Sequence, residues 1–252
     1  MVKVDFQSLI PRIFFTCVAI QVFLIVADFV FNYLDVMDEL KVRRIWNIAR
    51  EQSIPTWFSS IQTHLLAVTV FLVALAERHH VSKRRYSAWL AISAFFLWIG
   101  IDDFAAIHER MGIVLEEWVW EGSDITIAGI EVVNPSYAWH TLIAPVFVVC
   151  GIAITLFLWQ KFRQHNLLKY LVIGFGLWVV SQGIDFLEGM EVIDDYYAAV
   201  QALWDIDDEY FVSHLMKVVE EEMEMLGTTY LWVGFLYYLA NAVRGWQFQV
   251  EA

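Results

Sequence analysis

Histidines and carboxylates recur in short clusters along this chain. One cluster is IDDFAAIHER, which contains Asp102, His108 and Glu109, and another is SQGIDFLEG, which contains Asp185 and Glu188. Imidazole and carboxylate groups are common ligands of zinc, iron and manganese. A carboxylate beside a metal-bound water can act as a general base. The candidate metal ligands are His64, His108, Glu109, His140, Glu188, Glu221 and Glu224, and the candidate catalytic residues are Ser60, Asp102 and Asp185.

The spacing within these clusters predicts that their acids share helix faces. Asp102 and Glu109 are seven residues apart, and Ser181, Asp185 and Glu188 are spaced by four and three. In a helix, residues at these separations project from one side. A carboxylate buried without a partner takes up a proton or binds a cation. We therefore expect several helices to present their acids to one site, which a divalent metal would neutralise.

The composition indicates an integral membrane protein. Hydrophobic residues make up 59% of the 252 residues, and the mean hydropathy is +0.55. A soluble domain is usually close to half apolar. The net charge of −13 argues against a nucleic-acid partner, which is bound by clustered Lys and Arg. Cys17 and Cys150 each lie inside an apolar run, where we expect small packing residues rather than a disulfide.

Apolar stretches of about 20 residues, the length that crosses a bilayer as a helix, recur six times. The sequence therefore predicts an all-α polytopic transmembrane helical bundle that forms a single domain over residues 1–252. The predicted spans lie near 10–33, 56–76, 86–109, 138–159, 169–190 and 222–242.

The basic residues predict the orientation of the bundle, because Lys and Arg accumulate on the cytoplasmic side. Connections 78–85 and 160–169, together with Lys3, Arg12 and Arg244, place ten of the sixteen basic residues and both termini in the cytoplasm. Connections 114–137 and 191–212 contain acids but no Lys or Arg, so we expect them outside. The basic stretch 38–51 departs from this rule, and its apolar spacing predicts a short helix in the headgroup plane.

Three motifs resemble an uncharacterised family of bacterial polytopic inner-membrane proteins. They are IDDFAAIHER, VVEEEMEMLG and EQSIPTWFSSIQTHLLA. The family usually has Asp-Glu where this chain has Asp102 and Asp103. The resemblance implies a multi-pass protein of the bacterial inner membrane, with its site facing the periplasm or exterior. It implies no established activity.

A second motif is similar to the membrane hydrolase superfamily of alkaline ceramidases and progestin/adiponectin-type receptors. That superfamily has a Ser-x-x-x-His element, which Ser60 and His64 match, and an Asp that Asp102 or Asp103 would supply. The resemblance implies a zinc ion inside the bundle. The later His-x-x-x-His of the superfamily is absent here, and six predicted helices replace seven.

These observations favour a metal-dependent hydrolase that acts on a lipid or amphiphile at the outer leaflet. The expected cofactor is a divalent transition metal (zinc, iron or manganese), and the expected partner is membrane lipid. A cation or proton transporter that uses the same acids as a relay is an alternative. A structural or sensory subunit without catalysis is another, and an oligomer or a partner subunit stays open. The inner halves of helices two to six carry almost no charge, which favours an interfacial site over a transport path.

Overall fold

The computed structural model describes residues 6–34, 36, 39–115, 117–118, 126–127, 130–131, 139–206 and 209–243. Lys3, Arg244, Asp207, Asp208 and most of the predicted outer connection 114–137 lie outside these residues. Two two-residue strands, β1 (Thr126–Ile127) and β2 (Ile130–Glu131), pair antiparallel. Everything else that is regular in the described residues is helical, so the all-α prediction is confirmed.

The helices follow one another with short connections. Their bounds are α1 Phe6–Tyr33, α2 Leu40–Trp46, α3 Ile54–Glu77, α4 Lys83–Ala105, α5 Ile107–Leu115, α6 Trp139–Leu142, α7 Ala144–Gln164, α8 Leu168–Glu188, α9 Val192–Trp204 and α10 Glu209–Ala242. Ser53 caps α3, because its side chain accepts a hydrogen bond from the Thr56 backbone N–H. The short helix predicted in stretch 38–51 is present as α2, and its position in the headgroup plane stays a prediction.

Five of the described helices are long and apolar enough to cross a membrane: α1, α3, α4, α7 and α8. Two predicted spans were too long at their outer ends. The span predicted at 86–109 is broken at Ala106, which has φ 47°, and the span predicted at 138–159 is divided between α6 and α7. A left-handed residue of this kind interrupts helical hydrogen bonding and redirects the chain.

Helix α10 lies in the middle of the bundle and packs against α1, α3, α8 and α9. It begins thirteen residues before the predicted span at 222–242. Many of its residues are small or polar, among them Gly227, Thr228 and Thr229. Such residues allow close helix contacts at the cost of hydropathy, which is consistent with its absence from the five apolar helices.

Helices α1 and α10 run antiparallel. Ile10 packs against Val233, Leu236 and Ala240, whereas Leu24 packs close to Val218 and Met225. Glu77 at the end of α3 accepts a hydrogen bond from the Tyr238 hydroxyl at 3.1 Å. The start of α1 and the end of α10 therefore lie at the same end of the bundle as the basic segments 78–85 and 160–169. We call this the basic end, and we call the opposite end, which contains Asp102, Asp185 and Glu220, the acidic end.

Asp28 lies at the acidic end, close to the end of α1. Its carboxylate accepts hydrogen bonds from the Ile48 backbone N–H at 3.1 Å and from Asn32 Nδ2 at 2.9 Å. His214 Nε2 lies 2.8 Å from its second oxygen. Asp28 therefore joins α1 to α10 and to the connection that precedes α3.

A pair of glycines brings α8 and α10 into close contact. A Cβ atom on Gly227 would lie 2.6 Å from Trp178 Cδ1 and 2.9 Å from the Gly174 carbonyl oxygen, and one on Gly174 would meet Leu231 at the same 2.6 Å. Small residues at such crossings are a common device of membrane helices.

We expect Gly227→Ala to lower the free energy of unfolding in detergent by about 1–3 kcal/mol, the usual cost of overpacking. Gly176→Ala on α8 is the control, because a Cβ there meets no heavy atom within 4 Å. Equal stabilities for the two variants would contradict the close contact.

The orientation can be tested by thiol labelling in a background without Cys17 and Cys150. We expect Leu203→Cys, on exposed α9 at the acidic end, to react with an impermeant maleimide in intact cells. Ser82→Cys, at the basic end, should react only after permeabilisation. The reverse pattern would place the acidic end in the cytoplasm.

Candidate functional site

A cavity of about 750 Å³ opens at the acidic end, among α4, α7, α8 and α10. One part of its wall is apolar and runs along α4, α7 and α8. The other part is polar and is formed by Glu51, Asp102, Asp103, His108, Glu109, His140, Asp185, Lys217, Glu220, Glu221 and Glu224. Eight carboxylates and one lysine therefore line it in the described part of the chain.

Seven of the ten predicted site residues line this cavity. They are Asp102, His108, Glu109, His140, Asp185, Glu221 and Glu224. They come from four helices and the α6 turn, so the expectation of one shared site agrees with the geometry. Ser60, His64 and Glu188 are not among the lining residues.

Asp102 and His108 form a hydrogen-bonded pair across the break at Ala106. Asp102 Oδ1 accepts from the His108 backbone N–H at 2.9 Å, and Oδ2 lies 2.8 Å from His108 Nδ1. The carboxylate thereby caps the first turn of α5 and fixes the imidazole ring. The prediction that Asp102 and Glu109 share one continuous helix face was wrong, because α4 ends at Ala105.

The charge of Asp102 also sets the protonation of His108. Burial favours the neutral ring and lowers the His108 pKa, but the hydrogen bond to Asp102 and the negative charge of Asp102 outweigh this effect. The net result is a pKa raised above the ordinary 6.5. His108 is thus suited to take up a proton near neutral pH, through the ring nitrogen that Asp102 does not engage.

Asp185 is held between a histidine and a lysine. His140 Nε2 lies 3.3 Å from Asp185 Oδ2, and Lys217 Nζ lies 3.3 Å from Oδ1. The His140 ring also packs against Trp139 and Phe186, with centroid distances of 4.1 and 5.4 Å. The short helix α6 therefore brings His140 to α8, where its neighbour is a carboxylate.

Lys217 is a site residue that the sequence reasoning missed. Its Nζ donates to both oxygens of Glu220 at 2.8 and 2.9 Å, and it lies 3.8 Å from Glu188 Oε2. Lys217 and Glu220 are three residues apart on α10, a spacing that favours an ion pair. This spacing is the signal in the sequence that marks Lys217 as a partner of the glutamates.

Glu51 was also missed, because it lies in the loop between α2 and α3. Asp28 holds the Ile48 backbone N–H of this loop, and Thr56 Oγ1 donates to the Arg50 carbonyl oxygen at 2.9 Å. Gln52 follows with φ 61°. The loop is therefore anchored on both sides of Glu51, and a backbone conformation that is rare for a non-glycine residue lies beside a cavity residue.

The Glu51 carboxyl lies in an environment that disfavours its charge. The residue is exposed, yet withdrawal of its carboxyl from water, followed by repulsion from Glu109, raises the pKa of that carboxyl to about 7. Its protonation can therefore change close to neutral pH. Glu51 is the first residue of the motif EQSIPTWFSSIQTHLLA, but no helical spacing relates it to the other acids.

Ser60 and His64 lie at the contact between α3 and α4. Ser60 Oγ donates to the Gly100 carbonyl oxygen at 2.7 Å, and His64 Nδ1 lies 2.6 Å from the Ser60 carbonyl oxygen. A Cβ atom on Gly100 would lie 2.6 Å from His64 Nδ1. Their contacts are those of side chains that close a helix–helix contact, and the structure does not bring them to the cavity.

The predicted metal centre has no preformed ligand set among the described residues, in which no group of three or more His, Cys, Asp or Glu is arranged to hold an ion. Glu221 and Glu224 line the cavity, but Glu188 faces Lys217 instead. A divalent metal at Glu109, Glu221 and Glu224 stays a prediction, and it requires these carboxylates to converge.

The pH dependence of stability tests the Asp102–His108 pair. Because the His108 pKa is raised on folding, its contribution is fully present below about pH 6.5 and disappears as the pH rises through the folded pKa. In a double-mutant cycle of Asp102→Asn and His108→Gln, we expect a coupling of about 1–3 kcal/mol at pH 6. The coupling should fall by pH 9. A coupling that does not change with pH would mean that the pair is not ionised.

The comparisons with known proteins identify a family without assigning an activity. No curated protein and no solved structure matches the chain. One family model, described as a domain of unknown function (DUF8692), matches residues 14–239. This agrees with the resemblance to an uncharacterised family, and it gives no link to the alkaline ceramidase superfamily. Since the match covers most of the sequence and all the cavity residues, the chain belongs to the DUF8692 family.

Proposed function

We propose that the protein hydrolyses a lipid-like amphiphile at the acidic end of its bundle, with the Asp102–His108 pair as the general base. One observation carries this proposal: a single cavity joins that pair to a long apolar wall. Ligand sites that combine apolar walls with a few polar groups usually hold a partly apolar molecule. An amphiphile would place its tail on the apolar wall and its head among the polar residues.

The proposed membrane arrangement has six spans, with α10 as the sixth, in a bacterial inner membrane. Both termini are cytoplasmic, and the cavity opens to the periplasm or exterior. The basic connections between α3 and α4 and between α7 and α8 support this orientation. The central position of α10 among α1, α3 and α8 supports its inclusion as a span.

In the proposed reaction, His108 removes a proton from the attacking water through Nε2 while the water oxygen bonds to an acyl carbonyl carbon of the amphiphile. The bond from that carbon to the alcohol or amine then breaks, and the imidazolium returns the proton to this leaving group. Asp102 holds the ring through Nδ1 and stabilises the imidazolium that forms, as a carboxylate does in hydrolytic triads. Lys217 lies in the same wall and supplies positive charge near the developing oxyanion. A general base of this kind contributes about 10²–10⁴-fold to the rate.

The excess of carboxylates determines which charge the polar head group of the substrate can carry. Eight acids in one wall repel an anionic head and favour a cationic or zwitterionic one. A divalent zinc, iron or manganese ion at Glu109, Glu221 and Glu224 would offset the same charge. It would also activate the water.

A proton or cation relay is the second candidate. The repeated His–Asp pairs at the acidic end favour it, because such pairs pass protons in pumps. However, the basic half of the bundle is filled by Trp89, Phe96, Phe162, Phe235 and other buried apolar residues. In the described part of the chain, this cluster separates the acidic end from the basic end. A structural or sensory subunit would leave the paired acids of the cavity without a chemical role.

The test uses purified protein in vesicles of phosphatidylethanolamine and phosphatidylglycerol in H₂¹⁸O, with products identified by mass spectrometry. We expect an ¹⁸O-labelled product whose rate falls about 10²–10⁴-fold in His108→Gln. His64→Gln, which lies outside the cavity, is the matched control and should keep the rate. Chelation, followed by addition of zinc, manganese or iron, measures the metal requirement.

Two outcomes would contradict the proposal. A product that forms equally well in His108→Gln would remove the general base. Proton flux across the vesicle membrane that depends on His108, without any ¹⁸O-labelled product, would favour the relay instead.

A further inference from the structure

The two halves of helix α7 have different surroundings among the described residues. Toward the basic end, Ile154, Leu158 and Phe162 are buried in the main apolar core. Toward the acidic end, Phe147, Val148 and the residues around them line the cavity instead. Phe147 still contacts Phe95 of α4 and Trp139 of α6, with ring centroids 6.2 and 6.5 Å apart, but the cavity lies between the rest of this outer half and α8.

The cavity reaches the flank of the bundle between α7 and α8. Val148, Ile152 and Leu156 of α7 line it and are 58%, 56% and 68% exposed. Val179 of α8 also lines it and is 71% exposed. A side chain that both borders a cavity and stays largely exposed lies at its opening. In a membrane-spanning bundle, such an opening faces lipid.

Two glycines keep this opening wide. Gly151 on α7 and Gly183 on α8 both line the cavity, and a Cβ atom on either would meet nothing within 4 Å. Gly174 and Gly227 serve the opposite purpose, because their missing side chains permit a close contact of α8 with α10. The glycines at the opening therefore border unfilled space and are not required for packing.

The depth of the opening matches one leaflet. From Ala144 to Leu156 the lining residues of α7 span twelve positions, which corresponds to about 18 Å at ~1.5 Å per residue. Half of the hydrocarbon core is about 15 Å thick. The space ends where Leu158 returns to the core. One extended acyl chain, parallel to the helices with its head at the acidic end, fits these dimensions.

We infer that the space between the outer halves of α7 and α8 is a lateral entrance for one acyl chain of a lipid from the adjoining leaflet. The inference rests on the proposed function only in that the lipid is then the substrate. A water-soluble substrate would need neither the opening to the flank nor an apolar wall of this length.

Photo-crosslinking tests the entrance without requiring activity. The probe is phosphatidylethanolamine with a diazirine near the middle of one acyl chain, reconstituted with the full-length protein in vesicles. We expect adducts on α7 and α8 at Val148, Ile152 and Val179. Gly151→Phe should reduce them by at least about tenfold, the fold-change that corresponds to roughly two methylene groups kept out of the groove.

Gly176→Phe is the matched control, because Gly176 also borders open space on α8 but does not line the cavity. It should keep the adducts at Val148 and Ile152. Gly151→Ala, which adds one methyl group to open space, should keep them as well. Thermal melting of all three variants checks that the bundle stays folded.

Each result of this experiment bears on the inference separately from the hydrolase. Adducts spread evenly over α1 residues such as Phe15 and Phe23 would overturn it, since the groove would then be ordinary lipid-facing surface. Undiminished adducts in Gly151→Phe would overturn it too. Groove adducts without an ¹⁸O-labelled product would uphold the entrance and reject hydrolysis. Hydrolysis without adducts at the entrance would reject the entrance and uphold the hydrolase.

Discussion

The structure depends on how charge is accommodated among helices that cross a membrane. A carboxylate withdrawn from water is costly unless a hydrogen-bond donor or a cation accompanies it. Asp28 is paired with His214, Asp102 with His108, and Asp185 with both His140 and Lys217. Because each partner comes from a different helix or from beyond a helix break, these pairs also determine how the helices meet. The acidic end is thus both the functional candidate and the part that fixes the arrangement of the bundle.

Much of this arrangement follows from the sequence because helical rise is regular. Apolar runs located the five long helices, and depth at ~1.5 Å per residue placed Asp102, Asp185 and Glu221 at one level. Helical spacing cannot reveal a break. The left-handed Ala106 brings His108 back to Asp102 through six residues of chain, a contact that a straight helix forbids. Asp102 and His108 therefore form a hydrogen-bonded pair that regular helical spacing does not predict.

Other site residues depend on contacts between distant parts of the chain. Glu51 follows Ile48 in a loop that Asp28 anchors from twenty residues earlier in the chain, and His214 of α10 in turn holds Asp28. No local pattern encodes such an anchor. Ser60 and His64 show the converse, since a motif spacing suggested chemistry where the side chains bond to neighbouring backbone. A motif of two residues is satisfied by helix packing as readily as by a reactive site.

The apolar part of the cavity is the feature least visible in the sequence. Valine, isoleucine and phenylalanine on α7 serve equally well against lipid, against a packed core or around a cavity, because a bilayer and a protein interior are similarly apolar. The glycines do not distinguish a packed contact from a cavity either. On the same helix α8, Gly174 permits a close helix contact and Gly183 borders open space. The distinction arises because Gly174 and Gly227 bring α8 against α10, whereas among the described residues the outer half of α7 has no comparable close contact with α8 and faces the cavity instead. The same close packing that stabilises the centre of the bundle therefore leaves the space at its flank. At the acidic end this space is lined by the paired acids, so that an apolar binding surface and reactive groups share one cavity.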